Sequence, residues 1–140
     1  MQTTSTPLAP RLRLAVARTA RRLRQEAGGA LSPTLTAALA TVDRHGPLTP
    51  SELASRERVQ RPTATRLIAK LEEQGLVGRT ADPADRRSSL IALTPEGKAL
   101  LHEVRTRKDA FLAERLRRLS AEDRATLRRA AEILEEVLED

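Results

Sequence analysis

The sequence predicts a mainly α-helical chain with one small β-hairpin, on three observations. Apolar residues recur at helical spacing through most of its 140 residues. Proline and glycine punctuate that pattern where helices should start and stop, as in Ser32-Pro33, His45-Gly46-Pro47 and Thr94-Pro95-Glu96-Gly97. The exception is a short burst, Leu90, Ile91 and Leu93, behind the charged run DPADRRSS. Two β-like runs on either side of such a turn read as a hairpin.

Taken in order, residues 1 to 7 are polar, and Leu8, Leu12, Ala15, Val16, Thr19, Ala20 and Leu23 then form one stripe of a first helix ending near Gly28. Ser32 and Pro33 start a second, with Leu35, Ala38, Leu39 and Val42 on one face. His45-Gly46-Pro47 stops it, because glycine suits a left-handed cap and proline cannot continue a helix. Thr49-Pro50-Ser51-Glu52 is a capping-box pattern, so a short third helix should run to about Arg56. A fourth begins at about Arg61, with Pro62 at its start, and keeps Ala64, Leu67, Ile68 and Leu71 on one face until Gly75. Two short helices joined by a tight turn make a helix-turn-helix candidate. Leu76 to Thr80 and Ser89 to Leu93 are the arms of the hairpin, and Asp82 to Ser88 its tip. Thr94 to Gly97 caps a long fifth helix carrying Leu100, Leu101, Val104, Phe111, Leu112, Leu116 and Leu119, and Gly75 and Gly97 read as structural positions where the chain turns sharply. Ser120 opens a sixth with Leu127, Ala130, Ala131, Leu134, Val137 and Leu138 inward.

The length is that of one domain, and the hydrophobic content of 39% suffices for a core. The absence of cysteine excludes disulfides, thiol catalysis and cysteine-based redox sensing. No run approaches the roughly 18 apolar residues of a spanning helix, and MQTTSTPLAP lacks the apolar core of a signal peptide, so the expected location is the cytoplasm. The net charge of +6 suggests a polyanionic partner, nucleic acid or an anionic membrane surface. Arginine outnumbers lysine 22 to 3, which the codon bias of a GC-rich genome explains as readily as function does.

Position is more informative than the total. Residues 11 to 24 hold six arginines and no acid, and residues 56 to 87 hold eight basic and five acidic residues. Residues 103 to 140 are nearly balanced, at nine basic and ten acidic. On the fourth helix, Thr63, Thr65, Arg66 and Lys70 occupy the face left over when the apolar row packs inward. Those hydroxyl, guanidinium and ammonium groups are the ones that bond phosphates and base edges. The plainer alternative is a solvated charged face.

The run RPTATRLIAKLEEQGLVGRTADPADRRSSLIALTPEGKALL, residues 61 to 101, resembles the winged helix-turn-helix core of MarR-family transcription regulators. Weaker similarity follows the helix order along nearly the whole chain. The resemblance implies a single domain over 1–140. In it, dimerisation helices at 8–28 and 96–139 flank a winged helix-turn-helix lobe at 33–94. It makes the fourth helix the recognition helix and Asp82 to Ser88 the wing tip, with Arg87 entering a minor groove, whose negative potential attracts a guanidinium. Asp85 either braces that arginine or satisfies local amides, and Arg86 is a solvated charge or a phosphate contact. The candidate DNA contacts are Ser51, Arg61, Pro62, Thr63, Thr65, Arg66, Lys70, Asp85, Arg86 and Arg87. The implied function is a homodimeric regulator, most often a repressor, that binds a pseudo-palindromic operator in double-stranded DNA and answers to a small effector of unread identity. The terminal helices agree, since they carry more apolar surface than a small winged domain covers alone.

Other classes fare worse. His45 and His102 have no second histidine at helical spacing, and Glu96 and Glu103 complete no ligand set, so no metal or other cofactor is expected. No glycine-rich phosphate loop or nucleophile elbow occurs, and no catalytic residue is assigned. A winged-helix module used only for protein assembly would not need Arg66, Lys70 and Arg87 together. A membrane-surface helix at 11–24 would lack large apolar or aromatic anchors; its arginines read as a solvated face whose stems cover apolar surface.

Overall fold

The computed structural model describes residues 6–29 and 31–139. Its elements are α1 (Leu8–Ala27), α2 (Pro33–His45), α3 (Pro50–Glu57), α4 (Arg61–Glu73), β1 (Val77–Asp82), β2 (Asp85–Leu93), α5 (Pro95–Arg117) and α6 (Ala121–Val137). The helix starts follow local chemistry. Ser32, Thr49 and Ser120 each accept a first-turn amide on the side-chain oxygen, from Leu35, Glu52 and Asp123 respectively, and proline stands in the first turn of α2, α3 and α4.

The chain forms two compact units, residues 27–106 and the pair 1–26 with 107–140. α5 begins in the first unit and ends in the second. The core of the first gathers Leu39, Leu48, Leu53, Ile68, Leu71 and Ile91, all fully buried, with Ala38 and Ala64 allowing close helix approach. Burying each of those large side chains stabilises the fold by roughly 1.5–3 kcal/mol. The strands pair antiparallel from Val77↔Leu93 to Ala81↔Ser89, and an irregularity then brings Asp82 opposite Asp85. Leu48, between α2 and α3, joins the sheet through one bridge to Ile91. Its amide donates to Ile91 O at 3.0 Å and its carbonyl accepts from Ile91 N at 2.7 Å. The hairpin is thereby tied to the helix-turn-helix at its base.

Three local expectations need correction. The strands run to Asp82 and resume at Asp85, so the turn proper is shorter than 82–88. Gly46 is extended (φ −67, ψ 162), not left-handed. It is glycine because a Cβ would lie 2.3 Å from Val42 O. Gly97 makes no sharp turn either: it lies in the first turn of α5, where a Cβ would lie 2.1 Å from Leu76 O. Gly75 does take positive φ, +72.

In the second unit, the guanidiniums of Arg22 on α1 and Arg115 on α5 each lie over the Phe111 ring, at 5.3 and 4.9 Å from its centre. No residue of α6 is buried in the single chain. Leu127, Val137 and Leu138, expected inward, are 47%, 70% and 80% exposed. The periodicity is right, but among the described residues none covers this row.

Candidate nucleic-acid interface

The reading face of α4 follows from what its other face buries. Ala64, Leu67, Ile68 and Leu71 are buried against the core, which leaves Arg61, Pro62, Thr65, Arg66 and Lys70 exposed and Thr63 half-buried. Thr63 Oγ1 accepts from Arg66 Nη2 at 3.3 Å, which steadies the guanidinium along the helix surface. Thr65 Oγ1 donates to Arg61 O at 3.0 Å, so its hydroxyl offers lone pairs outward rather than a proton. Ser51, in the first turn of α3, is exposed as well.

The turn that sets α3 against α4 contains no glycine. Arg58 takes the left-handed conformation instead (φ 55, ψ 45), and its amide donates to Ser55 O at 3.2 Å while that of Val59 donates to Ala54 O at 3.0 Å. A left-handed arginine leaves no composition signal, which is why the sequence shows a turn here but not its geometry.

On the wing, the register breaks just beyond Ala81↔Ser89, and Arg86, Arg87 and Ser88 fall within the break. Such irregularities re-aim side chains, and both arginines are exposed. Asp85 Oδ1 accepts the Arg87 amide at 2.9 Å, and Asp82 Oδ1 that of Ala84 at 2.9 Å. Of the two roles open to Asp85, this is the capping one. It fixes the backbone from which the Arg87 side chain departs.

Sequence reasoning missed the contact that joins the two reading elements. Arg79 on β1 reaches Glu72 on α4, with Nε and Nη2 both 2.7 Å from Oε1, and its Nη1 lies 3.5 Å from Ser89 Oγ on β2. One side chain therefore touches α4 and both strands. Glu72 and Arg79 are seven positions apart but lie on different elements, since α4 ends at Glu73, so helical periodicity could not have found the pair.

These elements recur in known proteins. A model of the MarR family matches residues 31–89, from the start of α2 to the wing. An HTH-type transcriptional regulator of Mycobacterium leprae is 38% identical over 134 residues, covering 95% of this chain and 94% of its own. The chain belongs to the MarR family. A transcriptional regulator of Pseudomonas aeruginosa has a crystal structure with TM-score 0.86 at 32% identity, covering 95% of this chain and 94% of its own. The transcriptional repressor MdtR of Bacillus subtilis is 33% identical over 93 residues, 66% of this chain and 60% of its own. As a MarR-family member the protein is a DNA-binding transcription regulator and not an enzyme. Among the described residues no helix is long and apolar enough to cross a membrane.

Proposed function

We propose that the protein is a homodimeric repressor that reads a pseudo-palindromic operator through α4 in successive major grooves and through the wing in the adjoining minor groove. The observation that carries this is the pairing of two cationic elements on one lobe. Arg66 and Lys70 occupy the open face of α4, and Arg86 and Arg87 leave the hairpin where its ladder breaks. Ser51, Arg61, Pro62, Thr63 and Thr65 are the flanking contacts, and the Asp85 carboxylate holds the wing backbone. Dimerisation is supported by the apolar row of α6, which a second copy would cover. Repression is supported by the relative MdtR, named for that activity. Relief by a small effector belongs to the same reading. A concave site of about 290 Å³, with Leu23, Phe111 and Leu112 beside Arg18, Arg22 and Arg115, has the chemistry for an apolar anion.

Titrating single-arginine variants against operators with altered centres and flanks, at two salt concentrations, tests the reading. Arg66→Ala should cost roughly 1–3 kcal/mol and relax base preference at the position it reads. Arg87→Ala should lose most on narrow, A·T-rich flanks. Arg86→Ala should weaken all sequences alike and make the salt slope shallower by about one ion. If Arg87→Ala binds every flank as tightly as the parent, the wing is not a minor-groove reader. Half-sites should lie about one helical turn, roughly 10 base pairs, apart. Sedimentation showing only a folded 15.4 kDa species would remove the dimer.

A further inference from the structure

A cleft of about 500 Å³ opens between the last turn of α2 and α3, lined by Thr41, His45, Glu52, Ser55, Arg56 and Arg58. It is built from one-turn pairs, Thr41 with His45 on α2 and Glu52 with Arg56 on α3, so each helix presents a matched pair to the opening. At its centre Arg56 Nη1 lies 3.4 Å from His45 Nε2. A guanidinium has only donors, so this contact is a hydrogen bond when the ring nitrogen presents its lone pair. The other charges around the ring are Arg44 and Asp43 on its own helix, Glu52 and Glu57 on α3, and Arg58 at the end of α3. Asp43 is held by Arg105 of α5 at 3.0 Å, and Glu57 accepts the Thr41 hydroxyl. Asp43 is thus engaged outside the cleft and Glu57 by the cleft-lining Thr41 hydroxyl, while two guanidiniums, those of Arg56 and Arg44, act on the ring. Desolvation and then those two arginines hold its pKa below the ordinary histidine value.

We propose that this cleft is a site for a phosphate-type anion, seated between the Arg56 guanidinium and His45 Nε2, with the Ser55 hydroxyl as a further donor. The anion separates the two nitrogens and supplies the negative charge that the imidazolium lacks in the empty cleft. Binding therefore favours the protonated His45 ring, and for an anion that stays ionised throughout, as a phosphodiester does, it takes up a proton from solvent and is tighter at lower pH. Glu52 opposes the anion from the wall and limits its affinity. The phosphate has two possible sources, a free ion or ester and the backbone of bound DNA. The site does not depend on which groove α4 reads.

The chain has two histidines, so proton NMR of the full-length protein resolves the site against an internal control, His102 on α5. Inorganic phosphate is titrated at constant ionic strength set with sodium chloride, and duplex DNA in a phosphate-free buffer. Phosphate should shift the His45 ring resonance saturably and raise its titration midpoint by about one pH unit, leaving His102 unmoved. Arg56→Ala should abolish the response, and Glu52→Gln should tighten it several-fold. Both positions are exposed, so both variants keep the core. A response to DNA alone, lost in Arg56→Ala, supports the site and assigns it to backbone phosphate. The proposal is overturned if neither anion moves His45 more than chloride does, if His102 moves equally, or if Arg56→Ala responds like the parent.

Discussion

Gly97 is a residue that helix propensity would replace. Alanine is the better helix former by about 1 kcal/mol, yet a Cβ here would lie 2.1 Å from Leu76 O and 3.3 Å from Leu93 Cγ. The obstacle is backbone, so it cannot swing aside. Thr94 explains why the chain passes so close. Its hydroxyl donates to Gly75 O at 2.6 Å and accepts the Gly97 amide at 3.1 Å, while its own amide donates to Leu76 O at 3.1 Å. One threonine thereby pins the end of α4, the entry to β1 and the start of α5. Gly97→Ala should destabilise by about 1–3 kcal/mol in urea unfolding, against the propensity gain. An unchanged or raised midpoint would mean that this approach relaxes at no cost. The cap residues were legible because Ser32, Thr49 and Ser120 act on amides three positions away. The roles of Gly46 and Gly97 were not, since one depends on a carbonyl of the preceding turn and the other on a carbonyl 21 positions back. From sequence alone either could be a turn glycine.

Among the elements, the helices were legible to within a residue or two, because each buries one stripe and is bounded by proline, glycine or a hydroxyl cap. The hairpin was legible as two apolar runs about a charged turn. Its third partner, Leu48, was not, because a lone bridge across 43 positions leaves no pattern around it. The Arg79–Glu72 pair was hidden for the same reason, although it couples the wing to α4. With side chains 37% and 34% exposed, the pair contributes less than about 1 kcal/mol to stability. Its effect should appear in DNA binding instead. Arg79→Ala should weaken operator affinity while shifting the unfolding midpoint little. In a double-mutant cycle with Arg87→Ala the two losses should be less than additive, because a wing already misplaced has less to lose at its tip. Strict additivity would show that Arg79 does not position the wing.

For the molecule as a whole, family and fold class were legible from residues 61 to 101, while the candidate contacts of α4 and the wing await DNA-binding measurements. The apolar rows of the terminal helices were visible, but a row does not say what covers it. The long fifth helix was legible, but the sequence concealed that α5 is shared by both units, which are otherwise joined at the end of α1. This has a consequence for dissection by proteases. The backbone passes between the units twice, once at residues 26–27, at the end of α1 just before Gly28 and Gly29, which hold positive φ, and once at residues 106–107, in the middle of a helix. Helical backbone resists a protease that must bind its substrate extended, so a nick between the units should fall only after α1. The long fragment should then keep both halves of α5 on one chain. A DNA-reading fragment trimmed to residue 106 would end within a helix, with its last four carbonyls unsatisfied. Digestion that cuts first at 106–107 would mean α5 bends or melts there in solution.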